Sequence, residues 1–345
     1  MKRIGLLVFL SLSFYSLYGG AIDAQSIESL GMGNVSLAFS SSYSNVFANP
    51  AVLPRIPENR ARFFVSVGTQ DYFGAKIINN PISNSLISFC GSNLAFTIEI
   101  QNTLKNKVSV TGGDTYDSIN ATRLQLDWGY SIKKFSFGAS IKATTFMTRS
   151  PVLISDGQRV LDYIVESLFK RYESMNGSTT LSAGVGILYD EGWLKVAVVS
   201  SKFAYASTDG TMSFSFLELY KSFGFGLSLS SPTFNRESQL NFFKVEASAE
   251  IVNAGSSTLA EFRSGLALKF QLLPEYSVTL RTGYREPKNG NILAFNIDNG
   301  YHTMGLGIAL NNFSIDCAVQ VPVAVYKGTE TFSSVPFIVS FSYGQ

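Results

Sequence analysis

Leu124-Gln125-Leu126-Asp127-Trp128-Gly129-Tyr130-Ser131-Ile132-Lys133 alternates apolar and polar residues without a break. Successive side chains of a strand point to opposite faces, so the stretch has one greasy face and one small or polar face. The same period recurs at 223–230, 243–251, 265–272 and 276–285. In the first of these, Phe223, Phe225, Leu227 and Leu229 alternate with Gly224, Gly226, Ser228 and Ser230. Two architectures use this pattern. A soluble sandwich turns the apolar face inward, whereas a membrane barrel turns it to lipid and lines its lumen with the other face.

Three features favour the barrel over a secreted sandwich or solenoid. The alternating runs are about ten residues long, the length a tilted membrane strand needs. Their polar faces are rich in Gly and Ser, which suit a crowded lumen better than a hydrated surface. Aromatics gather near the run ends (Tyr189, Trp193, Tyr276, Tyr284, Tyr301 and Phe313), where interface girdles belong. Connection lengths add an independent argument. Tight turns at Lys133-Lys134, Asp190-Glu191-Gly192, Leu273-Pro274-Glu275 and Asn311-Asn312 alternate with longer connections at 149–177, 207–221, 254–259, 286–300 and 326–334. One turn, 232–240, is longer than the short-turn, long-loop rule predicts. Eleven strands after residue 120 and three within 61–102 give an all-β transmembrane antiparallel barrel of about fourteen strands, give or take two.

Composition excludes several classes. Of 345 residues, 46% are hydrophobic and 15% charged, which is not a disordered chain. Lys and Arg number 27 against 25 Asp and Glu, so no basic excess exists to neutralise a nucleic acid. One histidine, His302, rules out a His-cluster metal site and argues against a Ser-His hydrolase. No metal, cofactor or enzymatic activity is expected. Cys90 and Cys317 read as small strand residues, Cys317 on the face of Phe313 and Ile315, and a bond between them is left open. Lys2 and Arg3, the uncharged Ile4–Tyr18 run and Gly19-Gly20-Ala21 read as a cleaved signal peptide, residues 1–21. Its removal leaves 25 basic against 25 acidic side chains.

Residues 22–57 do not alternate. They contain Gly31-Met32-Gly33 and, later, Asn49-Pro50-Ala51-Val52-Leu53. From residues alone this is a looped leader with a Gly turn and an Asn-Pro turn. The pair of motifs also resembles the start of the FadL-like (OMPP1/FadL/TodX) long-chain fatty-acid transporters, in which G-x-G is followed by an N-P-A-x-L box. The resemblance implies that 22–57 is a hatch plugging the barrel formed by 58–345, with Gly31, Gly33, Asn49, Pro50 and Ala51 as its marked positions. A related branch with the same opening works in protein secretion. The match does not extend beyond residue 57, and the chain ends Gly344-Gln345 rather than in an aromatic residue.

One segment breaks the strand pattern. Val160, Leu161, Ile164, Val165, Leu168, Phe169 and Tyr172 recur at helical spacing between Asp156 and Glu173, in the third outer loop. The fourth outer loop carries Met212, Phe214, Phe216, Leu217, Leu219 and Tyr220. The resemblance implies a lipid-capturing groove between these loops, built from Leu161, Ile164, Val165, Leu168, Phe169, Phe214 and Phe216. A helix that merely caps the barrel fits the pattern too, and one surface can do both. Lys142, Lys244, Lys269, Arg281 and Arg285 lie on polar strand faces, either binding a ligand carboxylate or pairing with Glu246, Glu250 or Asp127. The expected partners are therefore long-chain fatty acids or other hydrophobic small molecules, outer-membrane lipid and the barrel-assembly machinery, with the chain a monomer in the outer membrane. A secretion-associated barrel and a general diffusion porin are the alternatives.

Overall fold

The alternating segments form the wall of a barrel. In the computed structural model the described residues are 29, 31–32, 35–38, 48–56, 60–69, 81–91, 93–111, 113–155, 176–207, 212–213, 220–232, 242–256, 260–273, 275–286, 300–323 and 337–344. The signal peptide, Gly33 and every residue of the predicted outer-loop groove fall outside them. The strands are β1 (Arg60–Thr69), β2 (Pro81–Cys90), β3 (Leu94–Val110), β4 (Gly113–Ile132), β5 (Phe135–Ser155), β6 (Asn176–Asp190), β7 (Leu194–Ser207) and β8 (Met212–Ser213). They continue as β9 (Phe223–Ser230), β10 (Phe242–Val252), β11 (Glu261–Leu273), β12 (Tyr276–Arg285), β13 (Tyr301–Leu310), β14 (Phe313–Pro322) and β15 (Phe337–Gly344).

Pairing is antiparallel between neighbours in sequence, with β7 joined directly to β9 and the two-residue β8 attached to β7 alone. Because β15 pairs with β1 and β6 with β7, fourteen strands make a complete cycle. That closure is what lipid demands, since an open edge would leave backbone N–H and C=O groups without partners. No helix among the described residues is long and apolar enough to cross a membrane.

Burial runs opposite to that of a soluble protein. On β4, Leu124, Leu126, Trp128 and Tyr130 are 44–49% exposed, while Gln125 and Asp127 are 1% and 0%. The same inversion holds on β5, where Phe135, Phe137 and Ile141 face out and Ser136, Ser140 and Lys142 face in. The apolar face is the outer surface, and the polar face is the core. Phe135 and Tyr189 stack 5.1 Å apart near the short-turn end, beside the exposed Trp128, Tyr130 and Trp193.

Four sequence expectations need correction or completion. Tyr301, expected in a girdle, shares its face with Thr303, which bonds to the N-terminal segment, so it faces the lumen. Residues 103–110 and 113–120, between the two counted regions, are strand: β3 reaches Val110 and β4 begins at Gly113. Lys105, Asn106, Lys107, Asp114 and Asp117 deny this hairpin an apolar face, so the alternation that marks membrane strands is missing there. Likewise β5 runs to Ser155, past the predicted loop start at 149. Both cysteines are free; Cys90 is buried with Leu53 and Ala95, whereas Cys317 lies on the outer face opposite Leu306.

The short turns are pinned to one another. Lys134 of the β4–β5 turn ion-pairs with Glu191 of the β6–β7 turn, which also accepts from the Tyr189 hydroxyl. The Lys134 hydrogen bond, with that of Tyr189, holds the Glu191 carboxyl below its ordinary range. Lys133, Gly192 and Asn311 take positive φ values of 54°, 87° and 50°, as tight hairpin turns need.

The outward apolar face yields the first prediction. Leu280 is exposed on β12 between Leu268 and Leu306. Leu280→Arg is expected to destabilise the protein refolded in vesicles by about 2–4 kcal/mol, as a charge at the bilayer midplane does. Equilibrium denaturant unfolding would measure it; an unchanged midpoint would mean that Leu280 meets water.

Candidate functional site

The Asn-Pro box becomes a short 3-10 helix because proline fits its first position and asparagine caps it. Asn49 Oδ1 accepts from the Ala51 amide at 3.0 Å, and its Nδ2 donates to the Leu37 carbonyl at 2.8 Å. This fully buried side chain thus ties the two described stretches of the N-terminal segment together. The helix, Pro50–Arg55, buries Pro50, Ala51, Val52 and Leu53. Arg55 ends it by donating from Nε to Ser136 Oγ at 2.9 Å and from its guanidinium to the Lys133 carbonyl at 2.7 Å.

Glycines of the wall make room for this segment. Gly129, Gly138 and Gly186 stand side by side on β4, β5 and β6. A Cβ at Gly138 would overlap the Pro50 and Ala51 backbone, and one at Gly186 would strike the Asn49 carboxamide. At Gly129 it would come within 2.7 Å of the Pro54 ring. Across the barrel, Gly265 lies under Met32, and a Cβ on Gly305 would reach Gly31 Cα at 3.0 Å. Thr303 donates from Oγ1 to the Gly31 carbonyl at 3.1 Å. Leu37 and Ala38 rest on Gly226. The Gly-rich lumen face is therefore the seat of the described part of the N-terminal segment.

Charge fastens the same segment. Glu250 Oε2 accepts from the amides of Ser36 and Leu37 at 2.9 and 2.8 Å, while its Oε1 meets Arg263 at 3.2 Å. Arg263 and Arg285 in turn both donate to Glu261, at 2.7 and 2.5 Å. Hydrogen bonds to a charged acceptor contribute on the order of 1.5–3 kcal/mol each. Glu250 therefore holds the segment more firmly than packing at Leu37 alone would.

All five predicted basic residues project from the lumen face, and most have carboxylate neighbours. Arg281 bonds Asp316 at 2.7 Å, Arg285 bonds Glu261, and Lys244 lies 3.7 Å from Glu246. Lys142 is buried opposite Gln125, diagonal to Asp127 across the β4–β5 ladder. Lys269 stands opposite Lys244 and is exposed on the lumen side. Lys244 and Lys269 thus sit together on β10 and β11, Arg281 and Arg285 follow on the adjoining β12, and Lys142 stands apart on β5. The sequence pattern pointed to Glu246, Glu250 and Asp127 as partners but not to Glu261, which Arg285 reaches diagonally across the β11–β12 ladder, or Asp316, which Arg281 reaches over Gly307 of the intervening β13. Among the described residues, four lumen side chains keep a buried polar atom without a hydrogen bond: Gln125 Oε1, Asp127 Oδ2, Arg281 Nε and Gln320 Nε2. His302 faces outward against Tyr284, ring centroids 5.7 Å apart.

No family model and no curated protein matches this chain. Solved structures do. The toluene transporter TbuX of Ralstonia pickettii aligns over 94% of this chain and 99% of its own, with TM-score 0.55 at 14% identity. The toluene transporter TodX of Pseudomonas putida aligns over 96% and 99%, with TM-score 0.55 at 13% identity. The CymD monoaromatic hydrocarbon channel aligns over 95% and 98%, again at 0.55, with 12% identity. The chain has the TodX-type fold. Such coverage on both sides means that the TodX-type architecture is present along nearly the whole chain, with almost none of its sequence. This is the FadL-like architecture anticipated from the Gly31 and Asn49 motifs.

If the glycine row of the TodX-type wall seats residues 49–55, Gly138→Val has no room beside Pro50 and Ala51. The expected result is a displaced segment: faster tryptic cleavage after Arg55 in the refolded protein, and steady ion conductance in planar bilayers where the parent is nearly silent. A Gly138→Val variant as quiet and protease-resistant as the parent would show that the contact does not hold the segment.

Proposed function

We propose that this protein is an outer-membrane uptake channel for hydrophobic small molecules, with long-chain fatty acids as the ligands of choice and residues 22–57 as its hatch. The observation that carries the reading is the N-terminal segment lodged in the lumen on a glycine seat and fastened by Glu250. A diffusion porin has no use for a chain segment that fills its lumen, and a secretion role gives no reason for a greasy loop pair. The structurally similar TbuX and TodX are toluene transporters and CymD is a monoaromatic hydrocarbon channel, which supports an apolar cargo.

The pathway has three stages in this reading. Leu161, Ile164, Val165, Leu168, Phe169, Phe214 and Phe216 form the outer-loop groove that strips water from the ligand, a gain of about 0.8 kcal/mol per buried methylene. The ligand then enters the lumen. Of the five basic candidates, Arg281 is best placed to hold a carboxylate, because its Nε is buried and donates to no acceptor while Asp316 occupies only the guanidinium end. Hatch displacement finally opens the way onward.

Two measurements test this. Replacing Leu161, Ile164, Leu168 and Phe169 by Ser should weaken palmitate binding to the purified barrel by about tenfold or more, the effect of exposing two to three methylenes again. Full binding by that variant would remove the groove. Arg281→Met should weaken palmitate much more than the uncharged hexadecanol; equal losses would show that Arg281 does not meet the carboxylate.

A further inference from the structure

The lumen holds a second polar place, on the wall of β4 to β7, that the basic residues do not explain. Asp127 and Gln125 project inward from β4 with 0% and 1% of their surfaces exposed. Gln125 donates its amide to Asp127 Oδ1 at 2.7 Å, which leaves Asp127 Oδ2 and Gln125 Oε1 as buried acceptors with no hydrogen bond. Ser140 stands beside Asp127 on β5, with Gly184 next to it on β6. Beyond Gly184 the β6–β7 ladder slips, passing from Ala183 opposite Ala204 to Val185 opposite Ser200. The slip turns backbone carbonyls inward. Ser140 Oγ, Ser200 O and Ser201 O lie 2.8, 3.2 and 3.2 Å from where a Cβ of Gly184 would be.

Every one of these atoms is an oxygen able to accept, and the two that are buried without a donor, Asp127 Oδ2 and Gln125 Oε1, cost free energy. A buried ammonium, Lys142, already stands opposite Gln125, two residues along β5 from Ser140. A metal cation would have to enter beside that ammonium. A neutral donor would not.

We propose that Asp127, Gln125 and Ser140 form a subsite for the hydroxyl group of an otherwise hydrophobic ligand, such as a phenol or a long-chain alcohol. The Pro50–Arg55 helix lies over both neighbours of Asp127: Leu53 packs on Ala95, opposite Asp127 across the ladder, and Pro54 lies on Gly129. The subsite is therefore closed while the hatch box is seated. A hydroxyl that reaches it must shift the box, so ligand recognition and hatch displacement are one equilibrium, biased by any ligand that prefers the open state. This inference rests on the channel reading above and adds a ligand class to it.

The test compares toluene with p-cresol, two molecules that differ by one hydroxyl, by equilibrium binding to the full-length refolded barrel. The native protein is expected to prefer p-cresol by roughly tenfold, and Asp127→Asn and Gln125→Met to reduce that preference to about threefold or less, with heat-modifiable mobility confirming that each variant folds. Equal affinity of native protein for the two compounds overturns the subsite while leaving the channel reading intact. Binding of neither overturns the channel reading for aromatics first. Asp127-dependent uptake of calcium or sodium ions, with no preference for p-cresol, overturns the hydroxyl subsite in favour of a cation site.

Discussion

A wall one strand thick cannot serve two masters with one side chain. Each strand here faces lipid on one side and a folded stretch of its own chain on the other, and everything else follows from that division. The outer side chains need only be apolar. The inner ones must be absent where the segment lies, because its backbone comes within van der Waals reach of the wall at Gly138, Gly265 and Gly305, and its Asn49 side chain at Gly186. Irregular backbone at membrane depth is tolerated when protein buries it and its polar groups find partners. Glu250, Thr303 and Asn49 supply those partners for the amides of Ser36 and Leu37 and the carbonyls of Gly31 and Leu37. Glycine alone would give a loose fit; glycine with these anchors gives a seat and a clasp.

The placement of charge fits the same division. Only 15% of the residues are charged, and on the described lumen face the basic groups fall mostly within reach of acids: Arg123 with Glu99, Arg263 with Glu250 and Glu261, Arg281 with Asp316. A buried ion pair contributes little net stability, yet removing one member leaves a charge that nothing solvates. These pairs therefore matter less as glue than as a way to keep polarity inside a lumen whose outer surface must have none. Where a lumen side chain retains an unbonded polar atom, at Asp127, Gln125, Arg281 and Gln320, it stands out against an otherwise satisfied background.

How much of this was legible depended on what each feature requires of the sequence. The strand faces were readable, because lipid enforces period two over Leu124–Ile132 and Phe223–Ser230, and the closed count of fourteen matches the count from alternation and turns. The β3–β4 hairpin was not, since 103–117 carries Lys105, Lys107, Asp114 and Asp117 and no apolar period survives in its sequence. Tyr301 misled because an aromatic near a strand end satisfies the girdle rule on either face. The glycines of 129, 138 and 186 were visible as a small-residue face, but their alignment into one row needs the register of three strands. The same holds for Glu261, diagonal to Arg285, and Asp316, one strand beyond the neighbour of Arg281. Partners across a ladder are set by turn length and bulges, which composition does not encode.

An identity of 12–14% with TodX-type channels over almost the entire length is the natural outcome of these constraints rather than a puzzle. Lipid accepts any apolar side chain, so outer positions drift among Leu, Phe, Val and Ile without loss of fold. Turns need only a residue that tolerates positive φ, as Lys133 and Asn311 do here. Lumen positions under the N-terminal segment must stay small, which leaves few letters to conserve or to change. The minority of lumen positions that carry a full-sized polar side chain are free of all three constraints. Two chains of this fold can share every strand and still differ in the chemistry of their lumens, because that chemistry is set by a handful of side chains that the fold itself does not require.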